Sequence, residues 1–206
     1  IQIELRFMSC LIGETVKILE HITYMELKTR NELPKYFKES GFSVGAEIGV
    51  YKGAFSEMLC SAGLKVYAID PWHSYDSGGR ITKDNERNQY LYNRAYNTLK
   101  KYPDCTIIRK TSMDAVPWFK DESLDFVYID GDHNFKHIAQ DIYEWTYKVR
   151  KGGIVAGHDY KANVGGIEKN INHVGPVVDA YVKAFGIKKL YIIGRKDHAS
   201  SWFFIR

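Results

Sequence analysis

Val44-Gly45-Ala46-Glu47-Ile48-Gly49-Val50-Tyr51-Lys52-Gly53-Ala54-Phe55-Ser56 decides how this chain is read. A short apolar run meets an acid, then Gly49 and Gly53, then a pattern that opens a helix (Ala54, Phe55, Met58, Leu59). A buried strand passing through a tight glycine turn into a helix is how an open α/β sheet builds a nucleotide site. Glycine at 49 and 53 lets backbone approach a ligand with no Cβ in the way. About twenty residues on, Lys65-Val66-Tyr67-Ala68-Ile69-Asp70 repeats the theme, an apolar run closed by an acid. A carboxylate there can accept hydrogen bonds from both ribose hydroxyls. A tight strand–helix turn with no ligand would account for the glycines alone, but less readily for the glycines together with Asp70.

Working outward, residues 1–40 read as helical. Ile12, Val16, Leu19 and Ile22 recur at three- and four-residue steps, and Leu33, Tyr36 and Phe37 follow Asn31, a candidate N-cap, up to a stop at Gly41. This N-terminal helical extension (1–40) would cover the sheet, the substrate mouth or a second copy of the chain. From residue 41 to 206 apolar runs alternate with amphipathic ones. Strands are expected at 44–48, 65–69, 105–109, 124–129 and 153–157, and helices at 54–62, 86–101 and 134–149. Such alternation argues for an α/β fold, a doubly wound parallel sheet with helices on both faces. A helix over 174–185 and strands at 189–193 and 202–205 then predict a closing hairpin. The polar, aromatic stretch from Trp72 to Asn85 reads as a mobile lid.

The second informative stretch is Asp125-Phe126-Val127-Tyr128-Ile129-Asp130-Gly131-Asp132-His133. A strand ends and delivers two carboxylates and an imidazole to the carboxyl edge of the sheet, where ligands of such sheets sit. Asp132 could instead serve as a helix cap. Gly153-Ile154-Val155-Ala156-Gly157-His158-Asp159-Tyr160 ends in the same way. If the two strands are neighbours, Asp130 and Asp159 face each other, and carboxylates that close repel unless a cation or proton lies between them. An oxygen-liganded divalent ion such as Mg²⁺ suits them, with His158 either a further ligand or a packing residue. His137 reads as a solvated helix residue, while His21, His73, His173 and His198 carry no partner pattern.

Bulk properties set the frame. The 206 residues suffice for one core. The net charge of +4 is scattered rather than gathered into a basic block, which argues against nucleic acid. No run approaches the length of a membrane span. Cys10, Cys60 and Cys105 are odd in number and widely spaced, as expected of reduced, buried thiols in a cytoplasmic protein. The chain opens on Ile1 rather than Met, which leaves room for upstream residues.

Taken together, Glu47-x-Gly49-x-x-x-Gly53, Ile69-Asp70-Pro71-Trp72, Ile129-Asp130-Gly131-Asp132-His133 and Gly152-to-Tyr160 resemble the class I S-adenosylmethionine-dependent methyltransferases. Within them the likeness is to the metal-dependent small-molecule and sugar O-methyltransferases, the macrocin O-methyltransferase type, over roughly residues 40–206. The resemblance implies a Rossmann-like, seven-stranded, mostly parallel sheet with a C-terminal antiparallel hairpin. It implies that Glu47, Gly49 and Gly53 line the methionine part of S-adenosylmethionine. Tyr51 stands where the family usually has its middle glycine, at the approach to the amino-acid end. Asp70 would hold the ribose, with Ser112, Met113 and Asp114 around the adenine. Asp130 would lie beside the cofactor and, with Asp159 and His158, hold Mg²⁺. His133, or failing that Asp132, would be the base. The partner would be a small-molecule acceptor, with a homo-oligomer through the N-terminal helices as an option. The alternatives are a metal-independent methyltransferase on another acceptor, a non-catalytic module of the same fold, and an NAD-dependent dehydrogenase. The last wants Gly-x-Gly-x-x-Gly, a spacing this turn lacks.

Overall fold

The computed structural model describes residues 22–24, 27–73, 85–160, 172–194 and 199–206. Its strands are β1 (Ile22–Tyr24), β2 (Val44–Ile48), β3 (Lys65–Ile69), β4 (Cys105–Ile108), β5 (Leu124–Ile129), β6 (Val149–Gly157), β7 (Leu190–Ile193) and β8 (Ser201–Ile205). Its helices are α1 (Leu33–Glu39), α2 (Ala54–Ser61), α3 (Asn85–Leu99), α4 (Ser112–Ala115), α5 (Phe135–Lys148) and α6 (Val174–Ala184). One sheet runs in the order β1-β7-β8-β6-β5-β2-β3-β4. All neighbours are parallel except β8, which lies antiparallel between β6 and β7. The expected mostly parallel sheet with its closing antiparallel hairpin is therefore present, and β1 beside β7 makes it eight strands rather than seven.

The period-two alternation of the strands divides the core in two. Ala46, Ile48, Val127, Ile129, Val155, Trp202 and Phe204 face α5 and α6. Phe126, Tyr128, Ile154, Ala156 and Phe203 face the opposite layer with Leu33 and Phe37 of α1 and Phe55 and Leu59 of α2. The outer strands pack on α3 through Leu91, Ala95 and Leu99, spaced for one helical face.

Several expectations are corrected. Ile22 lies in β1, parallel to β7 at the sheet edge, not in a helix; a helix over the residues before it falls outside the described ones. Asn31 is not a cap. It lies inside a 3₁₀ turn (Arg30–Glu32), where the Glu32 carboxylate accepts the Lys28 and Thr29 N–H groups. Gly41 does end α1, at φ 81°, with Phe42 N–H reaching back to Phe37 O. Trp72 is not a lid residue. It is 1% exposed, its Nε1–H donates to Tyr51 O at 2.8 Å, and its ring meets Tyr92 edge-on. Of the rest of the expected lid, 74–84 lie outside the described residues and Asn85 opens α3. Cys60 and Cys105 are free, as expected, but only Cys60 is buried, and the two thiols are neighbours that influence one another rather than separate. Cys10 lies outside the described residues.

Candidate functional site at the strand tips

The register builds the site. Ile69, Ile48, Ile129 and Gly157 stand level across β3, β2, β5 and β6. The next row is therefore Asp70, Gly49, Asp130 and His158. The ladder carries one step further, with Gly49 N–H on Ile69 O (2.9 Å), Asp130 N–H on Ile48 O (2.7 Å) and His158 N–H on Ile129 O (3.1 Å). Three of these four parallel strand ends thus deliver polar side chains along one rim, with Gly49 between Asp70 and Asp130.

Asp130 and Asp159 come together there with His133. One ligand atom from each lies within 4.8 Å of the others. His133 Nε2 is 3.0 Å from Asp159 Oδ2 and 3.8 Å from Asp130 Oδ1. His158 stands alongside, its Nδ1 3.3 Å from Asp159 Oδ2 and 3.9 Å from Asp130 Oδ1. Asp159 holds a left-handed backbone, φ 60°, and Asn172 Nδ2–H donates to its carbonyl at 3.0 Å. Strained backbone of this kind clusters at functional sites. Two carboxylates with imidazole form a donor set that suits a divalent ion.

Asp132 points elsewhere. Its Oδ1 accepts Asn134 N–H (3.0 Å) at the start of α5, and its Oδ2 lies 2.8 Å from His137 Nδ1. That pairing also corrects the reading of His137 as merely solvated.

Both glycines are spent on the protein's own chain. A Cβ on Gly49 (φ 90°) would lie 2.2 Å from Asp130 O, and one on Gly53 (φ 86°) would press on Ala95 and Leu99 at 3.3 Å. Their absence of side chain lets the turn nest against β5 and α3. Tyr51, half exposed, also sits in the left-handed region at φ 54°, which explains why glycine is the usual occupant. Asp70 is 4% exposed and braces this turn: it accepts Val50 and Tyr51 N–H at 3.0 Å and Trp72 N–H at 2.7 Å. Burial raises its pKa against the pull of those three amides.

Glu47 is 2% exposed and accepts the Ser56 hydroxyl proton. Burial pushes its carboxyl up to about 8, with Ser56 pulling the other way. A nearby cation would draw a buried carboxyl raised this far back toward its ordinary range.

Sequence reasoning missed three residues. Arg30 Nη1 is 3.0 Å from Asp130 Oδ2. Asp141 of α5, 4% exposed, accepts the Ser112 hydroxyl at 2.5 Å, and Ser112 in turn accepts Trp145 Nε1–H at 2.7 Å. Burial lifts Asp141 to about 7. The third, Thr111, caps α4 by accepting Asp114 N–H, which fixes Ser112, Met113 and Asp114 after β4. Only Thr111 had a local signal, as Thr three residues ahead of an acid.

A rim of carboxylates at the carboxyl ends of parallel strands, with one antiparallel strand near the far edge, defines a Rossmann-like methyltransferase fold. The family described as methyltransferase domain matches residues 46–160, and the chain belongs to it. Similar solved structures include an O-methyltransferase from Bacillus cereus in complex with SAH (13% identity, TM-score 0.60, 85% of this chain and 80% of that one). Another is the O-methyltransferase TomG from Streptomyces achromogenes, involved in tomaymycin synthesis, in complex with SAM (12%, 0.59, 85% and 78%). An uncharacterized protein y4gI of Sinorhizobium fredii is 23% identical over 119 residues, 55% of this chain; the matched part is 12% of that relative's length. Among the described residues no helix is long and apolar enough to cross a membrane.

Proposed function

We propose that this chain is an S-adenosylmethionine-dependent O-methyltransferase that methylates a hydroxyl of a small molecule, a sugar or glycosylated metabolite, with help from a divalent ion. The observation that carries the proposal is the Asp130–His133–Asp159 cluster beside the turn that follows Glu47. O-methyltransferases with SAH or SAM bound share this fold.

Methyl transfer from a sulfonium has a good leaving group, so the protein's work is mostly positioning. Glu47 and Tyr51 would line the amino-acid end of the donor, Asp70 and its turn the ribose, and Ser112 and Met113 the adenine. Asp130 and Asp159 would hold Mg²⁺, with His158 alongside. A divalent ion there lowers the cost of charge developing on an alkoxide. His133 is the base in this reading: a neutral imidazole takes the hydroxyl proton, worth about 10²–10⁴-fold. Asp132 is disfavoured because its oxygens serve Asn134 and His137.

A metal-independent reaction is the second reading, and one observation favours it: the Arg30 guanidinium already pairs with Asp130. Methylation of a panel of glycosides, each assayed with Mg²⁺ and with EDTA, separates the two. The proposal expects turnover that EDTA abolishes and Mg²⁺ restores; equal turnover in both overturns the role of the ion.

A further inference from the structure

The residue at this rim with no role so far is Arg30. It comes from the 3₁₀ turn ahead of α1, a hundred positions from Asp130 in the chain. Its guanidinium carbon lies 5.5 Å from the Phe55 ring centre, at the start of the helix that follows the glycine turn. Tyr128 and Glu47 lie within its electrostatic reach. Its side chain remains 34% exposed. Asp130 divides its oxygens accordingly: Oδ2 meets Arg30, while Oδ1 faces His133 and His158.

A guanidinium offers five N–H donors in a flat fork, suited to a carboxylate held by two parallel bonds. The donor molecule of the proposed function has a sulfonium, an ammonium and a carboxylate. The two cations suit a rim built from Glu47, Asp70, Asp130 and Asp159; the carboxylate is repelled by it and needs a fixed cation. We infer that Arg30 binds the α-carboxylate of the methyl donor while keeping Asp130 turned with Oδ1 toward the cluster. The inference rests on the proposed function, since it concerns how that donor is held. It assigns to the segment ahead of the sheet a direct part in cofactor recognition.

The test compares two ligands that share adenosine and sulfur but differ in the amino-acid end. S-adenosylhomocysteine carries the carboxylate; 5′-methylthioadenosine does not. Both are titrated calorimetrically into wild type, Arg30→Met and Arg30→Lys, with melting curves to verify folding. A charge-assisted bond lost from the complex predicts about ten- to a hundredfold weaker S-adenosylhomocysteine binding in Arg30→Met. Methylthioadenosine affinity should stay within about twofold. Arg30→Lys keeps the charge without the fork and should fall between; it carries the test if Arg30→Met does not fold. Equal losses for both ligands, or no loss for either, overturn the inference. Wild type that binds neither ligand overturns the proposed function instead.

Discussion

His133 Nε2 lies 3.0 Å from Asp159 Oδ2, so residues from the ends of two adjacent strands share a single hydrogen-bond distance at the mouth of the sheet. Register brings the two turns together: β5 and β6 finish level at Ile129 and Gly157, so the segments that carry His133 and Asp159 leave the sheet side by side. Whatever binds at Asp130 and Asp159 therefore lies against the His133 imidazole, whose Nε2–H donates to the Asp159 carboxylate.

Asp159→Asn tests the ion. Asn tolerates the left-handed backbone that Asp159 adopts, so the substitution removes charge with little strain. Mn²⁺ binding followed by electron paramagnetic resonance should weaken at least about tenfold, the effect of losing one hydrogen-bonded charge. S-adenosylhomocysteine binding measured without metal should be nearly unchanged.

His133→Ala and Asp132→Ala should fail differently. The first should slow turnover by about a hundredfold or more with a native melting curve. The second removes the acceptor for Asn134 N–H and the partner of His137, and should cost about 1 kcal/mol of stability. Single-turnover rates and thermal melts separate the two; a faster loss of chemistry in Asp132→Ala would exchange the roles.

Two glycines of positive φ give opposite forecasts. At Gly41 (φ 81°) a Cβ meets nothing within 4 Å, so Gly41→Ala should cost about 1 kcal/mol, the strain alone. At Gly49 a Cβ meets the Asp130 carbonyl at 2.2 Å, backbone that cannot step aside. Gly49→Ala should cost more than about 3 kcal/mol or prevent folding. Urea unfolding of both variants measures the difference.

Glu47 sets a pH dependence with a definite sign. Its folded pKa, about 8, lies above its ordinary 4.5, so between these values the folded chain binds more protons than the unfolded one. Stability of the ligand-free protein therefore falls as pH rises from about 4.5 to about 8, then levels. Asp141, lifted from 3.8 to about 7, adds a decline over the lower part of that window. Glu47→Gln, which keeps an acceptor for Ser56, should flatten the decline; unfolding curves at pH 5, 6.5 and 8 measure it. An unchanged slope would contradict the account of this carboxyl.

Much of the fold was legible because its strands are buried on both faces and read as unbroken apolar runs: β2, β3 and β5 have the predicted bounds. Asp130 and Asp159 were legible as a pair because each closes such a run. β6 begins earlier than predicted, at Val149, since the chain leaves α5 directly into pairing with Leu124 before Gly152 and Gly153. Partners fixed by tertiary packing were not legible. Arg30 reaches Asp130 from a turn with no motif of its own, and Asp141 is buried only because α5 lays it against Ser112. Trp72 misled because an aromatic beside a polar loop looks like a lid until its indole is seen under Tyr92.

The central claim is that the strand tips seat a methyl donor, and calorimetric titration of wild-type protein with S-adenosylhomocysteine tests it most directly. The account predicts saturable binding at one site per chain that excess NAD does not displace. Absence of binding, or displacement by NAD, would contradict it.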